Sequence, residues 1–189
     1  RSAPGCRFFS SATRAARATA RDAGTNKLMA IERRAFQSVA QKGFRDDYTS
    51  DSFNGMLNAL AVGRDGLLVQ RSFLAANDMR VGERMPLVLS AFGENMTVSF
   101  TIRGAFDHFP VIAGPRTDYT KVSYFVANMD YVFEQLGRET SYDVLISTEP
   151  QADALNVTIA ASNIGFIVFE AVDARRQIRE AQLRPDRQG

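Results

Sequence analysis

The stretch "LLVQRSFLAANDMRVGERMPLVLS", residues 67–90, decides the fold because it packs two strands and a helix into a short length of chain. Residues 67–69 are an apolar run of strand length, and residues 72–76 predict a short helix with two inward-facing apolar side chains. Asn77 is expected to end that helix in the left-handed conformation. A glycine turn then leads into a second strand at residues 87–89. Nothing in this stretch is typical of a catalytic site, so it predicts an architectural unit.

A hairpin is predicted directly after this stretch. Along residues 97–102 apolar and hydroxyl side chains alternate, with Val98, Phe100 and Ile102 facing inward. Residues 93–95, Gly-Glu-Asn, are expected to form the loop of the hairpin. The middle of the chain is therefore β-rich.

Helices and strands alternate on both sides of this β-rich middle. Ser52 ends a cluster of N-cap residues, and Phe53, Met56, Leu57 and Leu60 follow at the spacing of a helix with one buried stripe. Strands are also predicted at residues 28–31, 122–126, 142–147 and 166–169, and helices after Asn128 up to Gly137, after residues 148–150 with Leu155 and Ile159 buried, and over 173–183. This order predicts an α+β fold with a β-rich insertion.

The positive charge of the chain is concentrated at its beginning. Residues 1–21 hold five arginines and no acid, and without them 18 Lys and Arg (23 minus 5) face 21 Asp and Glu. The rest of the chain is thus mildly acidic, which argues against nucleic-acid binding. The arm also resembles a mitochondrial transit peptide in composition. However, Thr13, Arg17, Thr19 and Arg21 share one parity, as on the exposed face of a strand.

The residues able to perform chemistry lack the partners that chemistry needs. His108 follows Asp107, but no nucleophile motif and no second histidine accompanies it. Asp46 and Asp47 have no calcium-loop pattern around them, and the single cysteine, Cys6, cannot complete a zinc site. The glycines match neither the dinucleotide nor the Walker pattern. We therefore expect no catalytic residue, no metal site and no cofactor.

One apolar segment, residues 106–115, is bounded by prolines and a glycine, so it predicts a loop rather than the interior of a strand. A loop of this composition either contacts a partner or lipid or folds back over the core. Under the first interpretation the contact residues are Phe106, Phe109, Val111 and Ile112.

Soft motifs of turns and apolar positions follow one another across residues 27–189. In chain order they are "LMAIERRAFQSVA", "FRDDYTSDSFNGMLNALA", "GLLVQRSFLAANDMRVGERMPLVL", "VSFTIRGAFDHFPV", "YFVANMDYVFEQLG", "YDVLIST" and "DARRQIREAQLRPDRQG". In this order they resemble the extracytoplasmic domain of FtsX-like, MacB-type ABC transporter permeases.

The resemblance implies one extracytoplasmic domain over residues 1–189 that begins partway through the domain of the family, so that the first strand and helix are expected to be absent. A mixed-sheet α+β lobe with helices would comprise about residues 1–64 and 129–189. A β-rich lobe, about residues 65–128, would be inserted in it. The stretch 67–90 would help to build that second lobe.

The same resemblance implies a non-catalytic role at the extracytoplasmic face of the plasma membrane. A cytoplasmic ABC ATPase subunit would move the membrane helices of the permease, and the domain would bind or release a lipid, lipoprotein, peptide or extracytoplasmic protein. A second permease copy is a further expected partner. Arg184, Arg187 and Gln188, at the end of the last helix, would lie near lipid headgroups.

Three alternatives stay open. The chain could be a free-standing soluble binding or adaptor module with no membrane spans. An enzyme would need a cleft around His108 or around Asp46 and Asp47. If the chain were a mitochondrial matrix protein, the N-terminus of the mature protein would lie near residue 24. Apolar spans immediately outside both ends would favour the permease.

Overall fold

The described part of the chain has a mixed α+β fold, as the sequence predicts. The computed structural model describes residues 7–18, 25–41, 48–109, 123–139, 143–147, 153–163 and 165. The elements are β1 (Arg7–Ala18), β2 (Thr25–Ile31), α1 (Arg33–Ala40), α2 (Phe53–Ala61), β3 (Gly66–Gln70), α3 (Arg71–Ala76), β4 (Arg84–Ala91), β5 (Glu94–Phe106), β6 (Tyr124–Asn128), α4 (Met129–Leu136), β7 (Asp143–Ser147) and α5 (Ala154–Asn163). All but α5 belong to one compact unit, Arg7–Ser147, and α5 belongs to a second.

The strands pair into one mixed sheet in the order β2-β6-β3-β5-β4-β1-β7. Strand β1 also pairs with β2, so six strands close into a ring, and β7 extends the sheet from β1. Two neighbouring pairs, β2–β6 and β3–β5, are parallel, whereas the other pairs are antiparallel. Residues 7–18 of the N-terminal arm therefore form the strand that completes the ring.

Alternate side chains of β2, β3 and β6 enter two different cores. Because successive side chains of a strand point to opposite faces, Leu28 lies in one core and Met29 in the other. We call the core that contains Leu28 the inner core and the one that contains Met29 the outer core. The inner core also contains the buried apolar side chains of β4, those of β5 except Phe106, and those of α3 and α4. The outer core takes those of α1 and α2. Strands that are buried on both faces read as continuous apolar runs, and β3 does so.

Helices α1 and α2 form where the sequence supplies an N-cap. The Ser52 hydroxyl accepts a hydrogen bond from the backbone N–H of Gly55 at 3.0 Å, and the apolar stripe of α2 is buried as predicted. At α1 the cap is Glu32, whose carboxylate accepts from the N–H groups of Arg34 and Ala35 at 3.1 and 2.6 Å. Both helices thus present one apolar face to the outer core.

Two local predictions are wrong by one or two residues. Asn77 has a φ of −110°, and Asp78 takes the left-handed conformation at 50°. The amide of Asn77 instead donates to the Phe73 carbonyl at 2.9 Å. The hairpin loop is Phe92–Gly93, with φ of 56° and 80°, because Ala91 pairs directly with Glu94. A two-residue loop with both φ positive matches the twist of the flanking strands.

The two-lobe division stays a prediction. Among the described residues, strands β3, β4, β5 and β6 belong to the same closed sheet as β1 and β2. In the second unit, Leu155 and Ile159 on α5 are exposed rather than buried. The strand at 166–169 and the helix at 173–183 lie outside the described residues.

Gly137, which ends α4, supports a first prediction. Its φ is +69° and a Cβ added to it would meet no atom within 4 Å. Gly137→Ala should therefore lower the free energy of unfolding by about 1–2 kcal/mol through backbone strain alone. Gly137→Asn should cost less, since asparagine visits this conformation. Urea unfolding measures both, and an alanine variant as stable as the parent would contradict the left-handed C-cap.

Candidate functional site

The structure buries two of the four predicted contact residues. Phe106 and Phe109 are 0% exposed and belong to the outer core. The Phe109 ring stacks on Phe36 with centroids 5.3 Å apart and lies 5.4 Å from the Phe106 ring. The prediction that these two phenylalanines contact a partner is therefore wrong, because they hold the loop to its own core. Val111 and Ile112 lie outside the described residues.

The segment between these phenylalanines is fastened by polar contacts. The backbone N–H groups of Asp107 and His108 both donate to the Tyr48 carbonyl, at 2.8 and 3.1 Å. The Asp107 carboxylate accepts from Arg71 Nε at 3.1 and 3.2 Å. His108 packs edge-on against the Tyr48 ring with centroids 5.8 Å apart. The carboxylate of Asp107 is thus engaged by Arg71, so the sequence neighbours do not form a dedicated acid–base pair.

The remaining predicted site residues are not in the described part of the chain. These are Asp46, Asp47, Arg184, Arg187 and Gln188. Within the described ranges, no three His, Cys, Asp or Glu residues are grouped so that they could hold a metal ion. The helices described between residues 33 and 163 include none that is long and apolar enough to cross a membrane.

A cleft opens where the parallel strands β2 and β6 end side by side, at Ile31 and Asn128. Each strand leads directly into a helix. Helix α1 packs on the outer core and α4 on the inner core, so the two helices leave the sheet on opposite sides. In open α/β sheets, such a divergence of helices at the carboxyl ends of neighbouring parallel strands leaves a crevice in which ligands bind. The parallel pair β2 and β6 has the same local arrangement within this closed sheet. We take this cleft as the candidate functional site.

The cleft has a volume of about 260 Å³ and is lined by the start of α1, the end of α2 and the start of α4. Three arginines, Arg33, Arg34 and Arg64, contribute to the lining, together with the acids Glu32 and Asp130. Because Glu32 is bound to the N–H groups at the start of α1, its charge is directed toward that helix. Cationic groups thus dominate the part of the lining that is free to meet a ligand.

Asn128 organises the junction between α2 and α4. Its Nδ2 donates to the carbonyls of Leu60, Gly63 and Arg64, at 2.9, 3.2 and 3.1 Å. These carbonyls belong to the end of α2 and the turn after it, which lack partners inside the helix. Asn128 is the N-cap residue of α4, as predicted, but its side chain makes no capping bond to α4. The first turn of α4 therefore faces the cleft without a side-chain cap.

Electrostatic contacts surround the Arg64 side of the cleft. Arg64 forms an ion pair with Glu134 at 2.6 Å, in which the side chains are 72% and 50% exposed. The Tyr131 hydroxyl donates to the Ser99 carbonyl at 2.8 Å. Burial raises the pKa of Tyr131 above its usual value near 10, and the carboxylates of Asp65 and Glu134 raise it further. Tyr131 therefore stays a phenol and a hydrogen-bond donor throughout the physiological pH range.

The raised pKa of Tyr131 gives a prediction with a definite sign. At neutral pH, Tyr131→Phe should lower the free energy of unfolding by about 1 kcal/mol, because the bond to Ser99 is lost. The unfolded phenol ionises first, so this stabilisation is present below about pH 10 and is lost as pH rises through the folded pKa. Denaturation at pH 7 and pH 11 should show the difference between the proteins shrinking, whereas a growing difference would contradict the assignment.

Sequence patterns did not predict the cleft, because it depends on a pairing between residues far apart in the chain. In the sequence, Arg33 and Arg34 are typical of the exposed start of a helix, and Asn128 is typical of the N-cap of α4. The available signal was that two apolar strands pass into helices with almost no intervening loop. That arrangement points to a site only once β2 and β6 are known to be parallel neighbours.

The fold and the cleft define an α+β domain with a closed mixed sheet. Its fold is similar to that of a domain assigned to a permease protein from Porphyromonas gingivalis, with 13% identity and a TM-score of 0.47 over 85% of this chain and 64% of that one. It is also similar to the periplasmic region of MacB from Actinobacillus actinomycetemcomitans, with 9% identity and a TM-score of 0.48 over 95% of this chain and 76% of that one. No protein-family model and no curated protein matches the chain.

Proposed function

We propose that the chain is the extracytoplasmic domain of an FtsX-like, MacB-type ABC transporter permease. The observation that carries this proposal is the shared order of the motifs from residue 27 to residue 189. The described secondary structure follows the same order, from β2 and α1 through the β3–α3–β4 unit to α4 and β7. The stretch 67–90 is architectural in this proposal, since β3 and β4 both pair with β5 and enclose the inner core.

The proposed domain performs no chemistry itself. A cytoplasmic ABC ATPase subunit acts through the rest of the permease and moves the membrane helices. The domain changes its orientation with them and binds or releases a lipid, lipoprotein, peptide or extracytoplasmic protein. A second permease copy is a further proposed partner. Val111 and Ile112 remain the proposed apolar contacts, and Arg184, Arg187 and Gln188 remain the proposed membrane-proximal residues.

The coding sequence on either side of Arg1 and Gly189 provides the first test. The proposal expects a run of about twenty apolar residues shortly after Gly189, which is the length needed to span a bilayer, and another before Arg1. A stop codon directly after Gly189 and a start codon just upstream would contradict it. The chain would then be a free-standing binding or adaptor module.

Thiol labelling of intact cells tests the location independently. In a Cys6→Ser background, Ser72→Cys places a thiol on an exposed residue of α3. A membrane-impermeant maleimide should label it from outside. The matched control is Val69→Cys, whose side chain is fully buried and should stay unlabelled until the protein is denatured. Labelling of the Ser72→Cys thiol only after the membrane is opened would contradict an extracytoplasmic location.

A further inference from the structure

The cleft at the ends of β2 and β6 carries an inference that does not depend on the permease proposal. Arginine residues contribute to its lining from two separate parts of the chain, Arg33 and Arg34 from α1 and Arg64 from the turn after α2. Their convergence is a product of the fold, since β6 pairs with β2 on one side and with β3 on the other and so brings these elements together. A crevice between helices that leave a sheet in opposite directions is a common place for a ligand.

The charges favour an anion with several acceptor oxygens. Arginine presents planar groups of N–H donors that match phosphate and carboxylate oxygens, often two bonds at a time. The backbone N–H groups in the first turn of α4 add donors on the far side of the cleft, because the Asn128 side chain is turned toward α2. A carboxylate offers too few oxygens to use donors arriving from α1, α4 and Arg64, whereas a phosphate group offers oxygens in three directions.

The acidic residues at the cleft oppose anion binding to different extents. Glu32 is bound by two backbone N–H groups of α1. Glu134 pairs with Arg64 in an exposed contact, and exposed pairs of this kind contribute little to stability, so Arg64 can turn toward a ligand at little cost. Asp130 is exposed at the cleft and in the first turn of α4, where it competes with a bound anion.

We propose that this cleft binds a phosphate group, held by Arg33, Arg34 and Arg64 and by the N-terminal amides of α4. The volume of about 260 Å³ suits a free phosphate ion or the phosphate of one lipid headgroup rather than a large organic molecule. Both sources present the same chemistry to the arginines. Asp130 then limits the affinity of the site.

Titration calorimetry of the 189-residue chain with inorganic phosphate, at constant ionic strength, tests the site. Saturable binding is expected, and Arg33→Gln and Arg64→Gln should each weaken it about tenfold, the usual effect of losing a charge-assisted hydrogen bond. Asp130→Asn should tighten binding several-fold through the loss of repulsion. Arg80→Gln and Glu94→Gln remove exposed charges outside the cleft and should leave the affinity unchanged.

Flotation with phosphatidylglycerol vesicles distinguishes the two sources of phosphate. If the cleft takes a lipid headgroup, the chain should float with these vesicles, inorganic phosphate should compete, and the triple variant R33Q/R34Q/R64Q should not float. If it takes a free ion, calorimetry alone should show binding. The proposal is overturned if the triple variant, folded by its melting curve, binds as the parent does, or if neither phosphate nor vesicles bind. Should the triple variant unfold, the two single variants test the proposal instead. Phosphate binding that is weaker in Arg33→Gln and tighter in Asp130→Asn supports it, and an affinity that neither substitution changes overturns it.

Discussion

Phe109→Ala should lower the free energy of unfolding by about 3–5 kcal/mol, the usual cost of removing a fully buried phenylalanine ring. The Phe109 ring is completely buried between Phe36 and Phe106, so the deletion leaves a cavity in the outer core. It also releases the anchor of the segment after β5. Urea unfolding followed by circular dichroism gives the change directly as a shift in midpoint at constant slope.

Phe92→Ala is the matched control for this deletion. Phe92 is 48% exposed at the hairpin tip, where its ring stacks on the Arg138 guanidinium at 3.4 Å from the ring centroid. Losing that contact at an exposed site should cost at most about 1 kcal/mol. If Phe109→Ala cost no more than Phe92→Ala, Phe109 would not be a core residue. The sequence-based prediction that Phe109 contacts a partner would then be supported.

Asn128→Asp should also destabilise the domain strongly, by about 2–4 kcal/mol at pH 8. The substitution replaces a donor by a carboxylate oxygen that faces the carbonyls of Leu60, Gly63 and Arg64. The lost hydrogen bonds account for about 1–3 kcal/mol, and repulsion between oxygens adds to this. Thermal and urea unfolding at pH 8 measure the sum.

Asn128→Ala separates the two contributions, because it removes the donor without adding charge. The alanine variant should show the same loss at pH 4 and pH 8. The aspartate variant should be less impaired at pH 4, since the three carbonyls raise the pKa of the new carboxyl group in the folded state and the protonated form donates one hydrogen bond. Equal losses for the aspartate variant at both pH values would show that its side chain does not face the carbonyls.

Local patterns in the sequence predicted the elements in which buried side chains recur at a regular spacing. The stripe Phe53, Met56, Leu57 and Leu60 gave α2 with its correct N-cap, because one buried face is enough to define a helix. The alternation through Val98, Phe100 and Ile102 gave the inward face of β5 for the same reason. These predictions needed no knowledge of what packs against the element.

Predictions failed where a contact from elsewhere in the chain decides the outcome. Pro110 made the segment after Phe106 read as an outward loop, but stacking on Phe36 draws Phe109 into the core. The hairpin loop was predicted at residues 93–95, whereas it is Phe92–Gly93, with an aromatic residue at the first left-handed position. Its contact with Arg138 adds an interaction at that otherwise unfavourable conformation. The candidate cleft was missed because its walls meet through the pairing of β6 with both β2 and β3, which are far apart in the sequence.

The pairing of β1 with β7 determines how the Arg7–Ser147 unit responds to mechanical load. Arg7 is opposite Ser147 and Ser11 is opposite Asp143, so the chain enters and leaves this unit at adjacent points. A pull that separates those two points loads the hydrogen bonds of this ladder one after another, as a zipper is opened, rather than all together in shear. The ladder between β1 and β7 is then expected to separate first, while the ring that β1 closes with β2 and β4 stays intact.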